Sequence, residues 1–321
     1  MMQDLKTLID RIESRRKRRE YGLMIAGTLL AVVVLGGAGV LTMNAVQGTK
    51  TVTVTEAPKS NAFEMVKVSA KAAVVYDLTT GTVLYAKNAE AQLPLASLTK
   101  LLTLYAASNS LTAKSPVVIT HKATTVESGS GLHEGDTFTF EDAARLAIVA
   151  SSNEAAEAIA EAATKASESP NGTALLANAA SSIGLTQTYA LNGTGLDENG
   201  SISGGYGSAH DIAVLAGALL ARIPDIIRAT LLPQVSATSW NGNSYTLKNT
   251  NPEVAQIPGL MLSKTGYTDL AGGNLAVVFD AGIGHPVAVV VLGSTQDGRF
   301  SDVDILVKAT AQNFAGLTLP Q

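Results

Sequence analysis

The chain has 321 residues, 46% of them hydrophobic, a formal charge of −4 and no cysteine. That length allows one large domain or two modest ones with a substantial core. The lack of cysteine excludes a disulfide framework, a thiolate nucleophile and cysteine-ligated zinc, and without a basic, aromatic-interleaved stripe after residue 20 no nucleic-acid partner is expected.

The first feature along the chain is a basic run, Arg15 to Arg19, directly before Tyr21 to Met43, which carries no charge and is rich in Leu, Val, Ala and Gly. A run of that length crosses a bilayer core as a helix, and Lys and Arg stay on the cytoplasmic side. Residues 1–20 are therefore expected to be cytoplasmic, 21–43 to form a transmembrane signal-anchor helix, and the rest to face outward from the cell membrane. A cleaved signal peptide competes with this reading, but its apolar region would be shorter, and no clear small-x-small cleavage site follows the span. Residues 44–67 contain Pro58 and no helical period, which suits an extracytoplasmic linker. Residues 68–318 form the main domain.

Ala72 to Leu78 and Thr82 to Lys87 are β-branched runs joined by Thr79-Thr80-Gly81, predicting a hairpin. Leu98, Leu101, Leu102, Leu104 and Tyr105 recur at helical spacing and place Ser97 in a first turn. Thr139-Phe140-Glu141-Asp142 resembles a capping box before one helix, and Glu154 to Ala166 is an Ala-rich second helix, with Ser151-Ser152-Asn153 in the break. After a loop-rich stretch, Asn192 to Gly207, a helix is expected over Ala209 to Ala221. Leu260 to Lys264, Asn274 to Asp280 and Val287 to Gly293 read as strands, with turns at Gly266 to Gly273 and Ala281 to Pro286, before a closing helix over Asp302 to Phe314. Strands at both ends of the domain around a helical middle imply an α+β fold in which the two ends complete one antiparallel sheet, flanked by helices and interrupted by an inserted helical region.

Three short motifs carry chemistry: Ser97-Leu98-Thr99-Lys100, Ser151-Ser152-Asn153 and Lys264-Thr265-Gly266. Each is weak alone, since Ser14-Arg15-Arg16-Lys17 and Ser239-Trp240-Asn241 match two of them by chance. Ser14 lies in a basic run, however, whereas Ser97 opens an apolar helical pattern. A serine hydroxyl needs a base, and a lysine serves if burial or a neighbouring cation lowers its pKa. At i and i+3 on a helix, Ser97 and Lys100 share a face, and Lys264 arriving from a late strand would depress Lys100 electrostatically. Ser151 could relay a proton to a leaving amine while Asn153 binds substrate or orients Lys100. Lys-Thr-Gly at a strand end offers a cation, a hydroxyl and close backbone to a carboxylate.

A Ser-x-x-Lys, a Ser-x-Asn and a Lys-Thr-Gly in this order are the elements of penicillin-binding proteins and serine β-lactamases. The blocks Pro94 to Leu102, Val149 to Ala156 and Lys264 to Leu275 resemble the serine-type D-alanyl-D-alanine carboxypeptidases, the peptidase S11-like, low-molecular-weight penicillin-binding proteins, from about Ala70 to Leu317. The resemblance implies a β-lactamase/transpeptidase-like serine peptidase domain that trims peptidoglycan stem peptides through an acyl-enzyme, supports cell-wall biogenesis and cell shape, and is inhibited covalently by β-lactams. It implies Ser97 as nucleophile, Lys100 as base and Ser151 with Asn153 as proton relay. Lys264, Thr265, Gly266 and Arg299 would bind the substrate carboxylate, and the backbone N–H groups of Ser97 and Tyr267 would form an oxyanion hole. No metal or organic cofactor is implied. The sequence departs from the family pattern at Ser152, where glycine is usual, and at Asp197, where some relatives carry histidine. An endopeptidase of the same family, a β-lactamase and a non-catalytic cell-wall-binding protein are the alternatives; the second lacks its Glu-x-x-Leu-Asn pattern and the third is at odds with the complete set of catalytic side chains.

Overall fold

The computed structural model describes residues 62–316. The basic segment, the span expected over 21–43 and most of the linker fall outside this range. Among the described residues no helix is long and apolar enough to cross a membrane. The expected first hairpin is Ala72–Asp77 (β1) and Thr82–Lys87 (β2). Leu93–Pro94 (β3) leads through a 3₁₀ turn, Ala96–Leu98, into Thr99–Ala107 (α1). The inserted region then runs through Pro116–Val118 (β4), His121–Thr124 (α2), Thr137–Thr139 (β5), Phe140–Val149 (α3), Asn153–Ala166 (α4) and Gly172–Ser182 (α5). Tyr189–Ala190 (β6), Gly205–Gly207 (β7), Ala209–Arg222 (α6) and Pro224–Ile227 (α7) follow. A hairpin of Gln234–Thr238 (β8) and Ser244–Lys248 (β9) precedes Leu260–Thr268 (β10), Gly272–Asp280 (β11), Pro286–Ser294 (β12) and Gly298–Ala315 (α8).

Among the described residues, five strands form one antiparallel sheet in the order β10-β11-β12-β1-β2, so the chain ends of the domain meet as β1 pairs with β12. Strand side chains alternate between faces, and the core divides accordingly. Ala288, Val290 and Leu292 of β12 pack with α1, α3, α4 and α6, whereas Val287, Val289 and Val291 pack with Val303, Leu306 and Val307 of α8. Burial on both faces explains why β11 and β12 read as continuous apolar runs.

The helix caps follow local chemistry: Thr139 Oγ1 accepts from the Asp142 N–H at the start of α3, and Ser152 Oγ accepts from the Ala155 N–H at the start of α4. Two boundaries differ from expectation by more than two residues. The turn expected over Gly266 to Gly273 is shorter, because Gly266, Tyr267 and Thr268 continue the ladder opposite Asn274, Gly273 and Gly272. The closing helix starts at Gly298, since Asp302 is bound from inside the fold by the Ser69 N–H (2.7 Å), the Ala70 N–H (2.9 Å) and the Ser294 hydroxyl (2.7 Å).

Candidate active site

Ser97 sits half-buried in the 3₁₀ turn that enters α1, rather than in the α-helix proper. Its neighbour Ala96 has φ +48°, a left-handed conformation that costs a non-glycine residue and persists only where the surroundings impose it. The surroundings are close: a Cβ on Gly195 would lie 1.9 Å from the Ala96 carbonyl oxygen, and one on Gly266 would lie 3.2 Å from the Ser97 nitrogen. The Ser97 turn is thus gripped between the 192–197 loop and β10, with backbone in direct contact on both sides.

Lys100 is fully buried one turn on, and its Nζ lies 2.8 Å from Ser97 Oγ, 2.8 Å from Asn153 Oδ1 and 2.9 Å from the Thr194 carbonyl oxygen. Two of these partners only accept hydrogen bonds; the serine hydroxyl can also donate. When Lys100 is neutral, its two N–H groups satisfy Asn153 and Thr194, and its lone pair is left for Ser97. Burial lowers the Lys100 pKa from 10.5 to about 7, with the Glu154 carboxylate acting in the opposite direction. The amine can therefore take the Ser97 proton near neutral pH.

Asn153 is held in one amide orientation because its Nδ2 donates to the carbonyls of Glu127 (3.0 Å) and Ser128 (3.1 Å). Ser151, at the break between α3 and α4, has φ +60°. That strained backbone turns its hydroxyl to Lys264 Nζ at 2.9 Å. Ser152 has φ −54°, so its position does not require glycine, and its hydroxyl caps α4 instead of intruding on the site.

Lys264, Thr265, Gly266 and Tyr267 lie on β10, the edge of the sheet nearest Ser97. Lys264 is buried, and its pKa falls well below the ordinary value through burial, with repulsion from Lys100 and Arg299 adding to it. The two buried amines repel each other, so each disfavours the charged form of the other, on top of the desolvation that both undergo. Thr265 Oγ1 donates to Thr250 Oγ1 at 2.6 Å, and Arg299 Nη1 donates to the Gly266 carbonyl at 2.8 Å. Tyr267 is 45% exposed. Asp197 accepts from Thr268 Oγ1 at 3.0 Å and so braces the strand end after the Lys-Thr-Gly. All nine residues predicted for the site thus fall on the Ser97 turn and the start of α1, the α3–α4 break and the start of α4, β10 and the start of α8. Ser239-Trp240-Asn241 lies instead at the β8–β9 turn, where Asn241 donates to the Gly135 carbonyl.

Sequence reasoning missed several members. Thr194 acts through a backbone carbonyl, which residue type does not reveal, although it lies in the loop expected over Asn192 to Gly207. Asn274 pairs with Gly266, donates to the Pro94 carbonyl (3.0 Å) and accepts from the Gly293 N–H (2.8 Å), linking β11 to the entry of the nucleophile turn. Its signal was a polar residue in an otherwise apolar strand. Glu154 was read only as the start of a helix, but it is buried.

The family model described as D-alanyl-D-alanine carboxypeptidase, Peptidase_S11, matches residues 51–296. The chain is 31% identical over 241 residues to the D-alanyl-D-alanine carboxypeptidase DacF of Bacillus subtilis, covering 73% of this chain and 60% of that protein. It is 33% identical over 264 residues to DacD of Salmonella typhimurium, covering 77% and 64%. The chain thus spans a little over three fifths of the length of these relatives. Penicillin-binding protein D2 of Listeria monocytogenes, solved in its ampicillin-bound form, superposes with a TM-score of 0.63 at 26% identity, covering 76% of this chain and 98% of that one.

Proposed function

Because the chain belongs to the D-alanyl-D-alanine carboxypeptidase family, Peptidase_S11, we propose that it removes the terminal D-Ala from D-Ala-D-Ala-ended peptidoglycan stem peptides. The observation that carries this reading is the triple coordination of the Lys100 amine, which reserves its lone pair for Ser97. Neutral Lys100 takes the Ser97 proton as Oγ bonds to the carbonyl carbon of the penultimate residue. Charge develops on the carbonyl oxygen, where the Ser97 and Tyr267 N–H groups donate to it. The C–N bond then breaks, the departing amine takes a proton through Ser151 Oγ, and the lysine pair replaces that proton. Water attacks the Ser97 ester, releasing the shortened peptide and returning the hydroxyl. Arg299 offers positive charge to the terminal carboxylate, whose arrival would in turn favour the protonated form of Lys264, with Thr265 beside it, at a site whose Gly266 lets backbone approach.

β-Lactams would acylate the same serine and persist, because the opened ring keeps its leaving group tethered where it blocks water; the ampicillin-bound relative supports this. The uncharged run Tyr21 to Met43 behind Arg15 to Arg19 supports an anchor in the cell membrane with an outward-facing domain. A reporter fused after Lys59 should be active outside the cytoplasm. For the reaction, a pentapeptide ending in D-Ala-D-Ala should release D-Ala. A cross-linked dimer cleaved in its place would make the protein an endopeptidase.

A further inference from the structure

The reaction as described leaves unused a buried carboxylate one residue from Asn153. Glu154 is 3% exposed at the start of α4. Its Oε1 accepts from the Gly131 N–H at 2.9 Å, while its Oε2 is approached by the Ser130 hydroxyl at 2.8 Å and the Ser152 hydroxyl at 3.1 Å. The two hydroxyl oxygens are themselves 2.6 Å apart. A Cβ on Gly129 would stand 2.5 Å from Oε1, so the loop is shaped around the carboxylate. Burial opposes ionisation, but donors from Ser130, from its own N–H and from Gly131 outweigh it and hold the pKa below the ordinary carboxylate value. The group is an anion at neutral pH.

The clasped loop is the one whose Glu127 and Ser128 carbonyls fix the Asn153 amide, and Ser128 takes φ +52° to present its carbonyl. From this geometry we infer that Glu154 is a positioning residue for acylation: its clasp on residues 129–131 orients the Asn153 amide, which in turn holds the Lys100 amine against Ser97. The inference rests on the serine acyl-enzyme reading. The carboxylate has a second effect through charge. Around Lys100 stand Asn153 and Glu154 from α4, Lys264 from β10 with Arg299 of α8 behind it, and the Thr194 carbonyl from its loop; Tyr245 of β9 lies within the Glu154 field. In that cationic company Glu154 stops the base from becoming too weak to accept a proton.

The test is the second-order rate of acylation by benzylpenicillin, followed by intact mass from pH 5.5 to 9, for wild type, Glu154→Gln and Ser130→Ala. Glutamine keeps the shape and an acceptor for Gly131 but removes the charge. Its acid-side midpoint should move to lower pH, because Lys100 loses the neighbour that favours its protonated form, and its plateau should fall at least tenfold. A fixed midpoint overturns the effect through charge, and an unchanged plateau overturns the positioning role. If Glu154→Gln fails to fold, Ser130→Ala decides: it keeps the charge and loosens the clasp, so the plateau should fall several-fold at an unchanged midpoint, and an unchanged plateau overturns the positioning role. Absence of any wild-type adduct would instead overturn the acyl-enzyme reading itself.

Discussion

Burial of Lys100 makes acylation pH-dependent in a way that can be worked from the structure. With its pKa at about 7, the neutral fraction of the amine is about 9% at pH 6 and about 91% at pH 8. Acylation should therefore rise about tenfold across those two units and then level off. Were the amine at its ordinary 10.5, only about 0.3% would be neutral at pH 8, and the rate would keep climbing about tenfold per unit towards pH 10. The measurement is the pseudo-first-order formation of a penicillin adduct, quenched and weighed at each pH. A midpoint above pH 9 would refute the assignment of Lys100 as the desolvated base, and so would a flat profile. The same shift acts on stability. Between about pH 7 and 10.5 the folded chain binds fewer protons at Lys100 than the unfolded chain, so this group makes stability rise with pH through that window, by up to about 5 kcal/mol at roughly 1.4 kcal/mol per unit. Below pH 7 the whole penalty is present. Lys264 has the same sign, so the protein should melt higher at pH 9 than at pH 6 by scanning calorimetry.

Ser97→Ala should leave no penicillin adduct by intact mass, since the attacking oxygen is gone; a persistent adduct would put the nucleophile elsewhere. Gly266→Ala brings a Cβ within 2.9 Å of the Leu95 carbonyl oxygen and 3.2 Å of the Ser97 nitrogen. Acylation should drop at least tenfold with the far-ultraviolet dichroism unchanged, because β10 must draw back from the nucleophile turn. Asn274→Ala strands the Pro94 carbonyl and the Gly293 N–H and should cost about 2 kcal/mol or more. For a domain of this size the melting temperature should fall by roughly 4–8 °C.

The parts of the fold visible in the sequence were those where pattern and packing agree. The apolar strands and α4 are amphipathic or buried throughout, and their periods survive into the structure. Helix α5 is hard to see in the sequence because only Leu175 and Leu176 mark its buried face beside Ala179 and Ala180, and alanine marks no period clearly. The β8–β9 hairpin alternates exposed residues with buried ones in β8 and half-buried ones in β9, but five-residue strands rich in Gln, Ser and Thr resemble loop composition. At the site, the side-chain chemistry of Ser97, Lys100, Ser151, Asn153 and Lys264 was legible because residue type limits what each can do. The Thr194, Glu127 and Ser128 carbonyls were not, because any residue supplies a carbonyl and only tertiary approach aims it. In sequence Gly266 reads as the start of a turn because glycine serves turns and close approaches alike, and only the neighbouring Ser97 backbone distinguishes them.

The pairing of β1 with β12, and the 113 residues that separate Ser151 from Lys264 in the chain, also order events in time. As the polypeptide is made from its N-terminus, Ser97, Lys100 and Ser151 all exist before the strand that supplies Lys264. Until β10 to β12 arrive, β1 has only β2 beside it, Ser97 lacks the backbone of Gly266, and its base shares no field with Lys264. Such late closure of distant segments is slow to form. An incomplete chain would carry Ser97 without the rest of the site, which is assembled only when the last sheet strands have docked.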